Sequence, residues 1–486
     1  MGDFMEERSS RRRFLRTAVV GAASAAVTRK LSWAEGSAVN HPADRPNLVF
    51  IFADQWRAQA TGYAGNKDVK TPNLDRLAKQ SVNFSNAVSG CPVCSPYRAS
   101  LLTGQYWLTH GIFYNDKPLN PDAVTIGKVY RRAGYETGYI GKWHIDGHGR
   151  AAFIPEERRH GFSFWRVCEC THNYNRSPYY AETPVQRYWD GYDAIAQTRE
   201  AQQYIRRHAN KSPFVLFMSW GPPHAPYETA PEKYRSMFPD PAKIQIGPNV
   251  PEPLKEKARE ELAGYYAHIA ALDDCIGDVL DTLKECRVQE NTIFVFTSDH
   301  GDMLRSHGQT KKQQPWEESV RIPLLLRYPA MHGKSGRTID MPINTPDIMP
   351  TLLGLSGIAV PESVEGSDFS GVIKGSQPPD NDAALIMCPV PFHQWNYQRG
   401  GREYRGVRTR RYTYVRNLKG PWMLFDNEAD PYQLKNLCND SMYAQVQQEL
   451  ETILSRKLKE TNDKFLPGPE YMAKWNYQWD GNDAPL

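Results

Sequence analysis

"RPNLVFIFADQWR" (45–57) contains six consecutive apolar residues, 48–53, closed by Asp54 and preceded by Pro46. A run this short, rich in β-branched and aromatic residues and without polar alternation, predicts a strand buried on both faces that delivers Asp54 at its C-terminal end. The same design recurs downstream. "YETGYIGKWH" (135–144) ends in Lys142 and His144, "SPFVLFMSWGPPHAPY" (212–227) runs into a Gly/Pro loop carrying His224, and "NTIFVFTSDHGD" (291–302) delivers Asp299 and His300. "RIPLLLRYP" (321–329) reads as one more buried strand.

Helical patterns separate these runs. "TPNLDRLAKQSVNFSNAVS" (71–89) predicts a helix capped by Thr71 and then a strand over 82–84. A helix opens within 98–102, another in "AVTIGKVYRRAG" (123–134) closes at Gly134, and "GYYAHIAALDDCIGDVLDTLKE" (264–285) has helical apolar spacing. Alternating buried strands and helices predict an α/β fold, a mostly parallel sheet sandwiched by helices. In such folds the site lies beyond the C-terminal ends of the strands, where Asp54, Lys142, His144, His224, Asp299 and His300 all fall.

Bulk properties agree with one large α/β domain and a smaller appendage. The chain has 486 residues, of which 40% are hydrophobic and 23% charged, with a net charge of +4. Its basic residues are scattered, which argues against a nucleic-acid partner, and no segment has the length and apolarity of a stable membrane anchor. The N-terminus is the exception. "SSRRRFLRTAVVGAASAAVTRKLSWAEG" (9–36) has a basic run followed by a short, mildly apolar stretch, so residues 1–40 read as a twin-arginine-type signal peptide and tail. That reading makes the twin-arginine export machinery a partner and places the folded protein in the periplasm or outside the cell; a basic tail without a targeting role is the alternative. The catalytic domain is expected over 45–370 and a C-terminal α+β subdomain over 380–486, joined through the Gly/Ser/Pro/Asp-rich texture of 363–382. In that subdomain "YRGVRTRRYTYVRNLKGPWMLFD" (404–426) alternates as strands with a turn near Lys419 and Gly420, and "YAQVQQELETILSRKLKETND" (443–463) is an amphipathic helix.

Eight cysteines are too sparse for a disulfide scaffold, and the sequence leaves their pairing open. Cys91 and Cys94 stand three apart in "CPVCSPYRASLLTG" (91–104). Zinc would need two further ligands, and the nearest close pair is the distant Cys168 and Cys170. A thioredoxin-like pair belongs in a much smaller βαβ setting, and a buried, unreactive pair is the other plain reading. The residues that follow support a different reading, in which Cys94, Pro96 and Arg98 form C-x-P-x-R and Leu102, Thr103 and Gly104 extend it.

On these residues the chain resembles the sulfatase family of the alkaline-phosphatase-like superfamily, in which the cysteine of C-x-P-x-R is oxidised to formylglycine. "NLVFIFADQ" and "TSDHGD" resemble the family's two metal-binding strands. "GKWH" and "PPHAPY" resemble its active-site lysine and histidine motifs, and "WEESVRIPLLLRYP" and "LFDNEADPYQLKNL" its later landmarks, all in the family's order.

The resemblance implies a divalent metal held by Asp54, Gln55, residue 94, Asp299 and His300. Mostly hard oxygen ligands place Ca²⁺ ahead of Mn²⁺ and Mg²⁺. Many relatives carry Asp-Asp and Asp-Asn where this chain has Asp54-Gln55 and Asp299-His300; Gln55 can ligate through its carbonyl oxygen, but one formal charge is lost and Mn²⁺ gains ground. Hydrated formylglycine at Cys94 would attack sulfur through one hydroxyl and expel sulfate through the other. Arg98 and Lys142 are implied to hold the hydrate and the sulfate, His144 to be the base for sulfate elimination, and His224 with a lysine to serve the leaving group. That lysine is Lys311 or Lys312, with spacing in favour of Lys312.

Cys91, His110 and His307 are expected to have only packing or surface roles, and Arg57, Arg305, His393 and Trp395 lie in loops that border the pocket. The implied function is a sulfuric-ester hydrolase acting on a sulfated glycan or an aryl or alkyl sulfate, matured by a formylglycine-generating enzyme. A phosphonate monoester or phosphodiester hydrolase of the same superfamily is the alternative, ahead of a non-catalytic binding protein.

Overall fold

The computed structural model describes residues 45–376, 379 and 381–478, so the export-signal reading of 1–40 lies outside the described residues. The opening run forms strand β1, Asn47–Asp54, with all eight residues buried. Alternate side chains enter two different cores. Val49, Ile51 and Ala53 join the cluster formed with the helices Asp193–His208 and Lys255–Glu285. Leu48, Phe50 and Phe52 join the cluster formed with the helices Cys94–Thr103 and Thr345–Leu355. A strand covered by helices on both faces has no polar face to display, which is why 48–53 shows no alternation. Each of the larger side chains among them, fully buried, contributes about 1.5–3 kcal/mol.

The remaining strands of the main sheet are β2 (Val82–Phe84), β3 (Glu136–Lys142), β4 (Phe164–Cys168), β5 (Pro178–Tyr180), β6 (Gln186–Tyr188), β7 (Phe214–Pro223), β8 (Thr292–Ser298), β9 (Leu324–Arg327) and β10 (Arg337–Ile339). Their order across the ten-stranded sheet is β10-β2-β9-β8-β1-β7-β3-β4-β5-β6. Its centre, β4-β3-β7-β1-β8, is parallel, so the ends of β1, β3, β7 and β8 open at one edge. The run at 321–329 becomes β9, which lies antiparallel to β8. No long crossover helix separates the two; residues 299–323 are loop with a 3-10 turn, Ser306–Gly308, and a short helix, Glu317–Val320, so the chain returns in the opposite direction. Thr71 stands at the N-cap expected of it, but its hydroxyl donates to Asp75 Oδ1 at 3.1 Å and accepts from the Gly62 N–H at 2.8 Å, capping no N–H of its own helix.

A second, antiparallel sheet of four strands follows: β11 (Ala383–Cys388), β12 (Tyr404–Thr409), β13 (Tyr412–Asn417) and β14 (Gly420–Asp426). The helix Ala444–Glu460 packs Leu450 and Leu454 into a core with Leu385 of β11 and with Cys91, Trp107 and Phe113. Cys91 is therefore a packing residue beneath this sheet, and burial pushes its thiol well above the usual range. None of the eight cysteines is paired in a disulfide. Among the described residues no helix is long and apolar enough to cross a membrane.

Candidate active site

Cys94 is the first residue of the ten-residue helix Cys94–Thr103, and the local sequence explains the placement. Pro96 lies in the first turn, where a missing N–H costs nothing. Arg98 lies four residues on and so shares the face of Cys94. Gly104 ends the helix at φ 66°, its N–H donating to Ser100 O, a left-handed cap that favours glycine. The motif is thus a helix with its reactive residue at the start, its cation one turn below and its stop encoded.

Around the Cys94 thiol, Lys312 Nζ donates to Sγ at 2.9 Å, His300 Nε2 lies at 3.3 Å, and Lys142 Nζ lies at 3.8 Å. The ligand atoms of Asp54, Cys94, Asp299 and His300 all lie within 4.8 Å of one another, and all four residues are buried. Burial and the Asp54 carboxylate oppose ionisation of the thiol, yet Lys142, Lys312 and His300 together hold it well below its usual range. The two carboxylates part company. Burial is outweighed for Asp54 by Lys142 and Lys312 and its carboxyl is held low, whereas burial beside Asp54 raises Asp299.

Arg98 approaches the carboxylates and does not line the cleft. Its Nη2 donates to Asp299 Oδ2 at 3.0 Å and to Asp54 Oδ2 at 3.4 Å, and its Nη1 to the Lys142 carbonyl at 2.8 Å. Lys142 Nζ meets Asp54 Oδ2 at 2.6 Å. Its position depends on Gly141, which has φ +106° and approaches so closely that an added Cβ would meet Ser219 O of β7 at 2.0 Å. The fit to a metal shows in Gln55. Its Nε2 donates to Asp302 Oδ2 at 2.8 Å, its backbone N–H to Asp299 Oδ1 at 3.0 Å, and its buried Oε1 has no hydrogen-bond partner. A carbonyl oxygen buried without a donor beside two carboxylates and an imidazole is suited to a cation.

A cleft of about 310 Å³ opens over this cluster, and Cys94, Lys142, His144, His224 and Lys312 line it, as do Asn115, Arg150, His172, Lys311, His393, Gln394 and Arg399. Of the lysine doublet, Lys312 reaches Cys94, and Lys311 forms a neighbouring part of the wall. His224 donates from Nδ1 to the Ala225 carbonyl at 2.8 Å and stacks on His172 at 4.5 Å. Burial and then Lys312 keep His224 well below the usual imidazole range. His144 Nε2 bonds Asp116 Oδ1 at 3.0 Å, and Asp116 is gripped by Arg150 Nε and Nη2 at 3.0 and 2.8 Å. His144 (φ 61°), Gln55 (φ 73°), Asp116 (φ 59°) and Lys311 (φ 59°) are all held in left-handed backbone, strain that concentrates at this edge of the sheet.

Asp116, Arg150, His172 and Asp302 are absent from the sequence-based expectations. Asp302 was within reach, standing three residues past Asp299 in "SDHGD"; the others lie in loops without a strand or helix pattern to place them. Of the bordering loop residues, His393 lines the cleft, while Arg305 pairs with Glu261 and Trp395 is buried against Tyr404. Arg57 is buried too, and its backbone N–H donates to Tyr265 Oη at 2.9 Å. His110 bonds Ser100 at 2.9 Å, and His307 stacks on Trp316.

Residues 46–358 match the sulfatase family profile, and 306–460 match that of the N-sulphoglucosamine sulphohydrolase C-terminal region. The chain belongs to the sulfatase family. Within it, the chain is 45% identical to an ulvan-active sulfatase of Formosa agariphila over 91% of this chain and 86% of that one. It is 31% identical to an endo-4-O-sulfatase of Bacteroides thetaiotaomicron, over 88% and 94%. A solved structure from a study of the metabolism of multiple glycosaminoglycans by Bacteroides thetaiotaomicron superposes with a TM-score of 0.79 at 28% identity, covering 90% of this chain and all of that one. As a family member the protein is a sulfuric ester hydrolase with the alkaline-phosphatase-like fold. These similarities favour sulfate esters over phosphonates and phosphodiesters.

Proposed function

We propose that this sulfatase removes sulfate from a sulfated glycan outside the cytoplasm, using formylglycine formed from Cys94 and a divalent metal, Ca²⁺ ahead of Mn²⁺ or Mg²⁺. The observation that carries the reading is the convergence of Cys94, Asp54, Asp299 and His300 within 4.8 Å beneath a cleft lined by Lys142 and Lys312. Similarity to sulfatases named for ulvan and for endo-4-O-sulfate cleavage supports the glycan substrate. Asp54, Gln55, Asp299, His300 and residue 94 would hold the metal, which supplies positive charge for the sulfuryl oxygens and a lowered pKa for the nucleophile. Formylglycine, once hydrated, supplies a nucleophile that also releases the bound sulfate.

The chain's own residues do the rest. Lys142 and Lys312 set two cations beside residue 94, where water exclusion strengthens their pull on an anionic ester. Arg98 fixes the carboxylates that the metal would need and carries their charge in the buried layer. The Asp116 bond commits His144 Nε2 to the N–H side, which leaves Nδ1, on the side of the Cys170 thiol, to take the proton removed on sulfate elimination. The His224 bond to Ala225 O likewise fixes Nδ1 as donor and turns Nε2 to other partners. With the His224 imidazole kept neutral by burial and Lys312, Lys312 is the leaving group's proton source. Export by the twin-arginine route and a formylglycine-generating maturation enzyme complete the proposal.

Mass spectrometry of the tryptic peptide ending at Arg98, from the native host, tests the modification. The expected result is loss of the thiol and gain of an aldehyde at residue 94, and a fully intact thiol would overturn it. Aryl sulfate, aryl phosphonate and aryl phosphodiester assayed side by side test the reaction, with kcat/KM expected to be highest for the sulfate.

A further inference from the structure

The cleft holds more positive charge than one sulfate group requires. Five cationic residues line it, namely Lys142, Arg150, Lys311, Lys312 and Arg399, and no carboxylate is among its lining residues. Three of these charges are accounted for. Lys142 meets Asp54 at 2.6 Å, Arg150 meets Asp116 at 2.8 Å, and Lys312 donates to residue 94 at 2.9 Å. Lys311 and Arg399 remain, and among the described residues neither side chain has an ion pair or a hydrogen bond. Lys311 is half-buried beside Lys312, and burial together with that like charge depresses its pKa. Two neighbouring lysines in a cleft without a carboxylate repel each other until an anion arrives. The backbone holds the arrangement, since Lys311 sits at φ 59° with its carbonyl bound by the Met303 N–H at 2.7 Å. Gln394 Nε2 ties the 393–399 wall to the Lys312 carbonyl at 3.1 Å.

We infer that Lys311 and Arg399 form a subsite for a second anionic group on the substrate, a carboxylate or a further sulfate on the sugar next to the one being desulfated. This rests on the sulfatase reading above. Lys312 and Lys142 serve the ester that is cut, and the pair on the adjoining wall serves the leaving glycan. A guanidinium can grip such a group through two N–H donors, while Lys311 adds a point charge close to the reacting centre.

The test compares 4-nitrophenyl sulfate with three sulfated disaccharides, one with a neighbouring uronate, one with that carboxyl reduced to an alcohol, and one with a second sulfate and no uronate. In Lys311→Met and in Arg399→Met, the ratio of kcat/KM for the better dianionic disaccharide to that for 4-nitrophenyl sulfate should fall about tenfold, mostly through KM. Whichever dianionic substrate shows the fall identifies the second group as carboxylate or sulfate, and the carboxyl-reduced substrate should already lack the advantage in the wild type if it is carboxylate. An unchanged ratio for both dianionic substrates in both variants, with 4-nitrophenyl sulfate still cleaved, would overturn the subsite and leave the sulfatase reading intact. Wild-type protein with formylglycine at residue 94 that cleaves none of the four would overturn both.

Discussion

The layer beneath the cleft and the outer wall of the cleft are built on opposite principles. On the metal side, Asp54, Asp299, His300 and Lys142 come from the ends of parallel strands, are buried, and have nearly every polar atom paired. On the proposed glycan side, Lys311 and residues 393–399 are loop or single-turn helix, Arg399 is exposed, and among the described residues the Lys311 and Arg399 side chains have no partner. In the proposed reading, most of the groups that would meet the sulfuryl group stand on the rigid core, and those that would meet the variable part of the substrate stand on loops. Substitutions should therefore fail differently on the two sides.

The largest effect is expected at their meeting point. Cys94→Ala should lower turnover by about 10³-fold or more while circular dichroism shows an intact fold, because the nucleophile is removed from a position held by backbone bonds. Next is Arg98→Met, which leaves Asp54 and Asp299 buried without the guanidinium that both contact. Removing one partner of a buried ion pair costs about 3–5 kcal/mol, to be read from denaturant unfolding. Arg399→Met on the other wall should shift the same measurement by less than about 0.5 kcal/mol. Equal losses from the two arginines would erase the contrast.

The strand side was legible in the sequence for a physical reason. A strand buried on both faces must be an unbroken apolar run, so 48–53, 214–220 and 292–297 announced themselves and carried Asp54, His224 and Asp299 with them. Strand β11 escaped notice because its run of six buried residues follows the polar texture of 363–382. Arg98 was visible as a motif residue, but whether it faces the sulfate or the carboxylates depends on helix position, which C-x-P-x-R does not state. Arg150 and His172 reach the cleft, and Asp116 reaches His144, from loops whose paths are set by tertiary packing, and no local pattern betrays that.

Asp302 gives a finer test of the metal side. It accepts from Gln55 Nε2 at 2.8 Å and from Tyr227 Oη at 2.5 Å, so it fixes which end of the Gln55 amide is left for a cation. Asp302→Ala frees that amide to turn. Calorimetric titration with Ca²⁺ should show affinity reduced about 10–100-fold, the usual cost of losing the group that orients a ligand, whatever the effect on turnover. An unchanged affinity would show that Gln55 is oriented by something else.

The smallest predicted effect concerns a loop of the cleft that is anchored from the core. His268, fully buried in the helix Lys255–Glu285, bonds Tyr192 Oη at 2.6 Å and the Pro226 carbonyl at 3.1 Å, and so supports the turn that follows His224. Burial pushes its pKa down to about 4 from an ordinary value near 6.5. The imidazole is therefore neutral in the fold, and the unfolded chain takes up the proton first as the pH drops. Its contribution is fully present above pH 6.5 and is lost progressively as the pH falls toward 4. Between pH 7 and pH 5 this amounts to about 1–2 kcal/mol. His110 and His160, pushed by burial to about 3 and about 4, act in the same direction. His268→Gln should therefore flatten the acid side of the stability curve without abolishing it, as measured by Tm from pH 7 to pH 5. A slope identical to the wild type would mean that the turn after His224 yields to a charged His268, and that this loop is as adaptable as the rest of its wall.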